Sequence, residues 1–302
     1  MNLLKKLNAS KAMCLFLALA MVFSMAACGD RTAPEDETKE PDKETEEFEN
    51  PLDKTDKDKD KDKDKEKEEE PKVKAPEFKD KIAEIKSKNS DVIGWLQIPD
   101  TEINAAVVQT TNNDFYMRKN ELKEYSWTGS YFVDYECAMG NTRDDLFRST
   151  IIYGHNVNYD DAKDKERFSQ LFNFADKDFA QKHPYIYFST AEDDMAWEIF
   201  AVAYTTTDFD YVQVLQDRKT SPAQITEAQM MNIVNGAKER SEFVYDVEVT
   251  GTDKILTLST CSYKYGRRTD VRFIVMGKLL PKDAVLKESI TLKENTAKKA
   301  VQ

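Results

Sequence analysis

The strongest constraint on the fold of this chain is a stretch of about forty residues with almost no apolar side chains. Between Arg31 and Lys72 there are 19 Asp and Glu residues against 11 Lys and Arg residues. Such a segment cannot bury enough apolar surface to offset its conformational entropy, so we predict that residues 29–75 form a disordered tether. Folding is therefore confined to the part of the chain that follows.

Residues 76–285 have the composition of a globular domain, with aromatic and β-branched residues separated by turn-forming residues. A segment of this length can bury a full core as one domain. Residues 286–302 are mostly polar, and we expect them to form a peripheral tail.

The net charge of −12 arises largely in the tether, which contributes −8. The domain is therefore only mildly acidic, and no cluster of Lys and Arg interleaved with aromatic residues occurs in it. This distribution excludes nucleic acid as a partner.

The first 28 residues have the features of an export signal. Three lysines precede an apolar run over residues 12–27, and Met25-Ala26-Ala27-Cys28-Gly29 is similar to a bacterial lipobox, although Met fits its first position less well than Leu. We predict that Cys28 is lipidated. An uncleaved signal anchor is the alternative, although the apolar run is slightly short for a spanning helix. Both interpretations place the domain at the extracellular face of the membrane, attached through its N-terminus.

The domain sequence predicts a mainly β fold. Phe78, Ile82 and Ile85 have helical spacing, and a helix is expected there up to Asn89. Many short strands with few helices favour a barrel or a sandwich. We predict strands at 95–99, 106–109, 130–133, 150–153, 185–189, 196–205, 255–261 and 271–280, helical segments at 168–174 and 176–182, and an insertion over 206–243 with a helix at 226–237.

Two histidines and two cysteines of the domain are candidates for chemistry. His155 and Cys261 each follow or end a strand beside small residues, where a rigid scaffold can present a reactive side chain. A thiolate forms more readily beside an imidazolium, which makes this pair a candidate for nucleophilic catalysis, although either residue could be structural. His183 is expected to have a surface or capping role.

The cysteines allow two interpretations. In an exported domain Cys137 and Cys261 could form a disulfide. Alternatively, one is buried and inert while the other is reactive, which we favour because a domain of this size does not need a disulfide; Cys137 is then a packing residue. The two histidines lie 28 positions apart and no Cys-x-x-Cys occurs, so we predict neither a metal site nor a cofactor.

Six short blocks of sequence are more specific than any of these residues alone. They are NSDVIGWLQIP (89–99) continuing at 101–104 and 107–109, DFY (114–116), GSYFVD (129–134), YGHN (153–156), TLSTC (257–261) and RFIV (272–275). In this order, over about 185 residues, they resemble the class B sortases. The resemblance implies a closed β-barrel of about eight strands, with an N-terminal helix and a helix-containing insertion before the penultimate strand.

The resemblance also implies a cysteine transpeptidase. Cys261 would attack the Thr carbonyl of a sorting-signal peptide and form a thioester, and His155 would act as general acid and then as general base. Arg272 would bind the substrate backbone or the oxyanion. The product would be an exported protein joined to an amine of a peptidoglycan stem or cross-bridge. We further predict that the substrate contacts Ser259, Thr260, Asn156 and Tyr204.

Two other arginines compete with Arg272 for its predicted role. Arg267 and Arg268 follow Gly266 in an expected loop, whereas Arg272 begins a strand and matches the family block. We therefore assign the role to Arg272 and expect the other two to be solvated.

Other classes of protein remain as alternatives. One is a non-catalytic surface lipoprotein that uses a degenerate barrel as a binding module, although the Cys, His and Arg matches are all present. Papain-like hydrolases place Cys before His in the chain, which is the reverse of the order found here. L,D-transpeptidases carry His and Gly directly before the Cys, where this chain has Ser259 and Thr260.

Overall fold

The computed structural model describes residues 74–157, 161–163 and 166–301. The predictions for the export signal at 1–28, for Cys28 and for almost all of the tether at 29–75 lie outside these residues. Within the described part of the chain, no helix combines the length and the apolar character needed to cross a bilayer.

The described residues form twelve strands, three α-helices and three short 3₁₀ helices. The strands are β1 (Val92–Gln97), β2 (Asn104–Val108), β3 (Tyr131–Val133), β4 (Ser149–Tyr153), β5 (Tyr185–Ser189), β6 (Ala196–Thr206), β7 (Leu215–Asp217), β8 (Ser221–Gln224), β9 (Phe243–Val244), β10 (Ile255–Cys261), β11 (Val271–Leu279) and β12 (Lys293–Glu294). The α-helices are α1 (Lys79–Lys88), α2 (Lys177–Lys182) and α3 (Glu227–Arg240), and the 3₁₀ helices are Phe115–Arg118, Arg143–Asp145 and Phe168–Ala175.

Eight of these strands close into a barrel in the order β1-β2-β3-β4-β10-β11-β6-β5. The pairs β2–β3 and β4–β10 are parallel, and the other neighbours are antiparallel. Closure pairs every strand of the barrel on both sides. The predicted mainly β fold with a closed eight-stranded barrel is confirmed.

The insertion between β6 and β10 covers one outer face of the barrel. Its helix α3 begins with a capping box formed by Thr226 and Gln229 and packs against β6. The buried side chains of α3 are spaced three and four residues apart: Met230, Ile233, Val234 and Ala237. Because β6 is covered on both faces, its side chains from Ala196 to Thr205 are almost all buried, without the alternation of a half-exposed strand.

The predicted N-terminal helix is α1, and it lies outside the barrel against β1 and β2. Ile82 is fully buried, Phe78 lies directly before the first turn, and the ring of Phe78 stacks on Trp95 with a centroid distance of 6.1 Å. The amide of Asn89 donates to the carbonyl of Ile85 at the end of the helix. These side chains form a second, smaller core on the outside of the barrel.

The segment after residue 285, which the sequence predicts to be a polar tail, packs against the domain. Leu286 and Leu292 are buried, and β12 pairs with β9. The amide of Ile290 donates to the carbonyl of Gln181 in the last turn of α2. Two buried leucines among charged residues are too weak a pattern to predict this packing.

Candidate active site

Parallel pairing of β4 and β10 brings His155 and Cys261 to the same edge of the barrel. Tyr153, the last residue of β4, pairs with Ser259 of β10. His155 lies two residues beyond Tyr153, and Cys261 lies two residues beyond Ser259. Parallel strands in register present equivalent positions at the same edge, so the fold places the imidazole-bearing and thiol-bearing residues side by side.

Arg272 reaches this edge from the neighbouring strand. It is the second residue of β11, and its Cα partner across the antiparallel pair is Cys261. The residues at positions 155, 261 and 272, which are distant in sequence, therefore lie on or beside three adjacent strands.

All three side chains line one groove with a volume of about 230 Å³. Its other lining residues come from the 3₁₀ helix after β2 and the loop before it, from β3 and β4, and from β10: Asn113, Asp114, Met117, Phe132, Tyr153, Gly154, Ser259 and Thr260. We call it the catalytic groove. The walls of the catalytic groove are mainly apolar. Its thiol, imidazole and guanidinium groups lie at one end of the ladder formed by β4, β10 and β11.

The orientation of the His155 ring is set by a backbone group. Its Nε2 lies 2.8 Å from the carbonyl oxygen of Met117. A carbonyl can only accept, so Nε2 carries the hydrogen and Nδ1 is the nitrogen with a free lone pair in the neutral ring. Burial lowers the pKa of His155, and the positive charges of Arg118 and Arg167 add to this effect, while the bond to Met117 opposes it.

Gly154 is required by the packing next to His155. A Cβ at this position would lie 2.7 Å from the ring of Phe168, which itself stacks on Tyr131 with a centroid distance of 4.7 Å. Only glycine lets the strand end pass this close to the aromatic pair. The glycine of the YGHN block therefore has a steric role in placing the histidine.

The guanidinium of Arg272 is fixed through one terminal nitrogen. Nη1 donates to the carbonyl oxygens of Thr269 at 2.8 Å and Val271 at 2.9 Å. Arg268 instead forms an ion pair with Asp270 at 2.6 Å and does not line the catalytic groove. The structure thus places Arg272, and not Arg268, in the catalytic groove with the thiol and the imidazole.

Comparison with known proteins decides the family. The profile of the sortase domain matches residues 96–280. Sortase B of Listeria monocytogenes serovar 1/2a is 36% identical over 210 residues, which cover 68% of this chain and 76% of that relative. The chain is a class B sortase.

Solved sortase structures agree with this assignment. The complex of Staphylococcus aureus sortase B with substrate is 27% identical and has a TM-score of 0.54, covering 67% of this chain and 85% of that one. A sortase B complexed with triglycine is 26% identical with a TM-score of 0.55, covering 68% and 87%. The predicted family and the predicted activity, a cysteine transpeptidase, are confirmed. None of these comparisons favours the alternative of a non-catalytic barrel.

In this sortase, two predicted substrate contacts lie in the catalytic groove but have their hydroxyls engaged elsewhere. Ser259 Oγ lies 2.8 Å from the Tyr211 hydroxyl, and burial raises the pKa of Tyr211 to about 12, so this phenol stays neutral. The hydroxyl of Thr260 donates to the carbonyl of Gly154 at 2.8 Å, which ties β10 to β4. Their contact with substrate stays a prediction.

The other two predicted contacts are buried within the sortase domain. The amide nitrogen of Asn156 donates to the carbonyl of Cys261 at 3.1 Å and to a carboxylate oxygen of Asp161 at 2.7 Å. Tyr204 lies against Phe273 with a ring centroid distance of 4.7 Å, and the structure does not bring it to the catalytic groove. Asn156 therefore supports the backbone of Cys261 at the end of β10.

Asp161 is a site residue that the sequence did not reveal. Besides Asn156, its carboxylate accepts bonds from the Ser262 hydroxyl at 2.6 Å and from the amides of Tyr263 at 2.8 Å and Lys264 at 3.1 Å. The loop after His155 is thereby joined to the turn after Cys261. A lone Asp in a loop has no sequence pattern that could predict this role.

The remaining thiol and imidazole of the described domain are structural. Cys137 and Cys261 are both free thiols, so the structure contains no disulfide between them. Burial raises the pKa of the Cys137 thiol. His183 is the C-cap residue of α2, where its Nδ1 bonds the carbonyl of Phe179 at 2.8 Å. Among the described residues, no group of three His, Cys, Asp or Glu side chains could hold a metal ion.

Proposed function

We propose that Cys261, His155 and Arg272 carry the transpeptidase reaction on a sorting-signal peptide. The observation that carries the proposal is that these three side chains line one groove at the end of the β4–β10–β11 ladder. A class B relative, Staphylococcus aureus sortase B, was solved as a complex with its substrate.

In the first half-reaction the sulfur of Cys261 attacks the carbonyl carbon of the scissile amide. A C–S bond forms and the C–N bond breaks, and the thiol proton passes through His155 to the departing amine. Because Nε2 of His155 is held by Met117, Nδ1 is the nitrogen that exchanges this proton. The guanidinium of Arg272 stabilises the negative charge that develops on the carbonyl oxygen.

In the second half-reaction an amine of peptidoglycan attacks the thioester. A new amide bond forms, the C–S bond breaks, and the amine proton passes through His155 to the Cys261 sulfur. Water in place of the amine makes the same enzyme a hydrolase. That a sortase B was solved in complex with triglycine supports an amine-bearing peptide as the acceptor class.

For the N-terminal region we propose export and attachment to the membrane, with the domain on the extracellular side. The support is the sequence: an apolar run, the lipobox-like block ending in Cys28, and the charged tether. A flexible tether of this length spans roughly 35–40 Å, which would hold the domain away from the bilayer. If Cys28 is lipidated, labelled palmitate should be incorporated into the parent protein and not into C28S, whereas a signal anchor would incorporate none in either protein.

Mass spectrometry of the intact protein tests the catalytic proposal. The full-length chain, incubated with a small library of candidate motif peptides, should gain the mass of an acyl fragment at Cys261. The C261A variant should form no adduct, and the matched C137A variant should form it as the parent does. Turnover of a sorting peptide by C261A at the parental rate would refute the proposal.

A further inference from the structure

A buried carboxylate contacts the lining of the catalytic groove without being part of it. Asp134 directly follows β3 and is 4% exposed, and it is not one of the residues that line the groove. None of the ion pairs within the described residues involves Asp134; the neighbouring cation Arg218 pairs with Glu136 instead. A buried charge without a cationic partner is costly unless hydrogen-bond donors surround it. The donors around Asp134 therefore indicate what it does.

The two oxygens of the Asp134 carboxylate bind different parts of the domain. Oδ1 accepts from the amide of Glu136 at 2.9 Å, which closes the turn after β3. Oδ2 accepts from the side-chain nitrogen of Asn113 and from the hydroxyl of Tyr153, both at 2.9 Å. Asn113 and Tyr153 belong to separate elements, and both line the catalytic groove. One oxygen serves the local turn, whereas the other joins two side chains of the groove.

The amide of Asn113 is held at both of its ends. Its Nδ2 donates to Asp134, and its Oδ1 accepts from the amide of Tyr135 at 3.0 Å. An amide flip would place the nitrogen against the Tyr135 donor and the oxygen against the carboxylate. Asn113 therefore presents one fixed arrangement of donor and acceptor to the groove.

The ring of Tyr153 is fixed in a similar way. Its hydroxyl donates to Asp134, and the ring lies against Phe132, which also lines the groove, with a centroid distance of 5.5 Å. Burial raises the pKa of Tyr153, and the negative charge of Asp134 raises it further. The phenol is therefore neutral and remains a donor to the carboxylate.

From these contacts we propose that Asp134 is a positioning residue for peptide binding, which holds Asn113 and Tyr153 in place through its Oδ2. The inference rests on the proposed function, since the peptide concerned is the one that the reaction cleaves. It adds a residue that does not touch this peptide but determines how well the groove is prepared for it.

The role of Asp134 is separate from the chemical step. Within the described part of the chain, no hydrogen bond or ion pair joins Asp134 to Cys261, His155 or Arg272. The backbone of β4 is held independently by its pairing with β3 and β10. Loss of the Oδ2 bonds therefore frees two side chains and leaves the strand end in place. Side chains that are free must be ordered when the peptide binds, which weakens binding.

The variant D134S removes Oδ2 and keeps a hydroxyl that can still close the turn. The full-length enzyme is assayed with the peptide of the library that forms the thioester. We expect KM to rise by about tenfold, from the cost of ordering two side chains, while kcat stays within about twofold. Iodoacetamide should label Cys261 in D134S at the parental rate, because the thiol and the imidazole keep their positions.

Y153F removes one of the two bonds to Oδ2 and leaves the turn intact, so it carries the test even if D134S does not fold. We expect KM to rise by about threefold in Y153F. In the double variant KM should equal that of D134S, since the bond to Tyr153 is already lost there. Parental KM in Y153F, or effects that multiply in the double variant, would overturn the assignment.

D193S is the matched control, because Asp193 is also buried and accepts hydrogen bonds, in its case from Arg143. Asp193 lies shortly before β6, whose far end pairs with Arg272, so it is at the opposite end of the barrel from the groove. D193S should lower the melting temperature and leave KM unchanged. An equal rise of KM in D193S would assign the effect of D134S to general loosening of the fold and overturn the proposal.

Two other results would also overturn the assignment of Asp134. A folded D134S enzyme with parental KM and a lowered melting temperature would restrict Asp134 to its turn. A fall in kcat at parental KM would place Asp134 with the reactive groups instead. Absence of a thioester with every library peptide in the parent enzyme would refute the proposed function itself, and the assignment of Asp134 with it.

Discussion

Cys261 and Arg272 occupy directly opposite positions on the antiparallel strands β10 and β11. Opposite residues of such a pair lie about 4.5–5.5 Å apart at their Cα atoms. The separation of the Cys261 and Arg272 backbones is therefore set by a strand ladder and not by a loop. A rigid ladder is the kind of support that a preorganised oxyanion site needs, since it costs no reorganisation during the reaction.

Replacing Arg272 with Ala should lower kcat by about 10²–10³, the usual cost of removing one group that stabilises an oxyanion. The fold should persist, because the side chain bonds carbonyl groups of its own strand start and is not part of the core. Steady-state cleavage of a sorting peptide, together with a thermal melt, measures both effects.

The matched control for Arg272 is R268A. Arg268 pairs with Asp270 and does not line the catalytic groove, so kcat should change less than about twofold, as is usual for an exposed ion pair. A large loss in R268A with near-normal turnover in R272A would show that the guanidinium has been assigned to the wrong residue.

The acid limb of the pH profile should lie below the ordinary histidine value of about 6.5. Burial lowers the pKa of His155, and Arg118 and Arg167 lower it further. A lowered pKa means that the ring is protonated only at more acid pH, so kcat/KM should hold its plateau down to a lower pH than a free imidazole allows. The measurement is kcat/KM for peptide cleavage across the acid range.

Removal of the Arg118 charge tests the cause of this shift. In R118Q the pKa of His155 should rise, and the acid limb should move to higher pH, while R267Q leaves it in place. An acid limb above the ordinary value of about 6.5 in the parent enzyme would contradict the structure, because it would require the buried ring to favour its charged form.

Much of the barrel could be predicted from the sequence, because each barrel strand is a short apolar or β-branched run. The strand expected at 130–133 is observed at Tyr131–Val133, and that expected at 196–205 is observed at Ala196–Thr206. The short strands β7, β8, β9 and β12 were not predicted. They are two to four residues long and largely exposed, so they carry no periodic pattern.

The candidate site could be predicted only in part, for a related physical reason. Cys261, His155 and Arg272 belong to recognisable blocks, whereas the group that orients His155 is a backbone carbonyl, which every residue possesses. The inward direction of Asn156 is likewise set by partners outside its own block, Asp161 and Cys261. The sequence identifies the side chains that can react. The groups that hold these side chains in place are determined by tertiary contacts, which leave no pattern in the sequence.

Asp161 should prove to be a positioning residue for catalysis. D161A removes a carboxylate that accepts four hydrogen bonds and joins the loop after His155 to the turn after Cys261. We expect a loss of about 1–3 kcal/mol in the free energy of unfolding, since partly buried donors lose their acceptor. We also expect kcat to fall by roughly tenfold or more with little change in KM, because misplacing a reactive group slows the reaction, while Asp161 does not line the catalytic groove.

The split between kcat and KM separates positioning from simple destabilisation of the fold. Rates are measured well below the melting temperature, where the variant remains folded. D246A, which removes an exposed carboxylate away from the catalytic groove, should match the parent in both constants. A D161A enzyme with parental kcat and a lowered melting temperature would reduce Asp161 to a structural role.

The two free thiols of the domain should differ strongly in reactivity. Cys137 is 3% exposed, and burial raises its pKa, so little of the reactive thiolate forms there and a reagent cannot reach it. Cys261 is partly exposed in the catalytic groove. Iodoacetamide should therefore modify Cys261 in the native enzyme and Cys137 only after unfolding, as peptide mapping after limited labelling would show. A lower rate at Cys261 in H155A, at one fixed pH, would further tie the thiol to the imidazole. Equal labelling of both cysteines, or a disulfide between them, would contradict the assignment of Cys137 as a buried packing residue and of Cys261 as the reactive thiol.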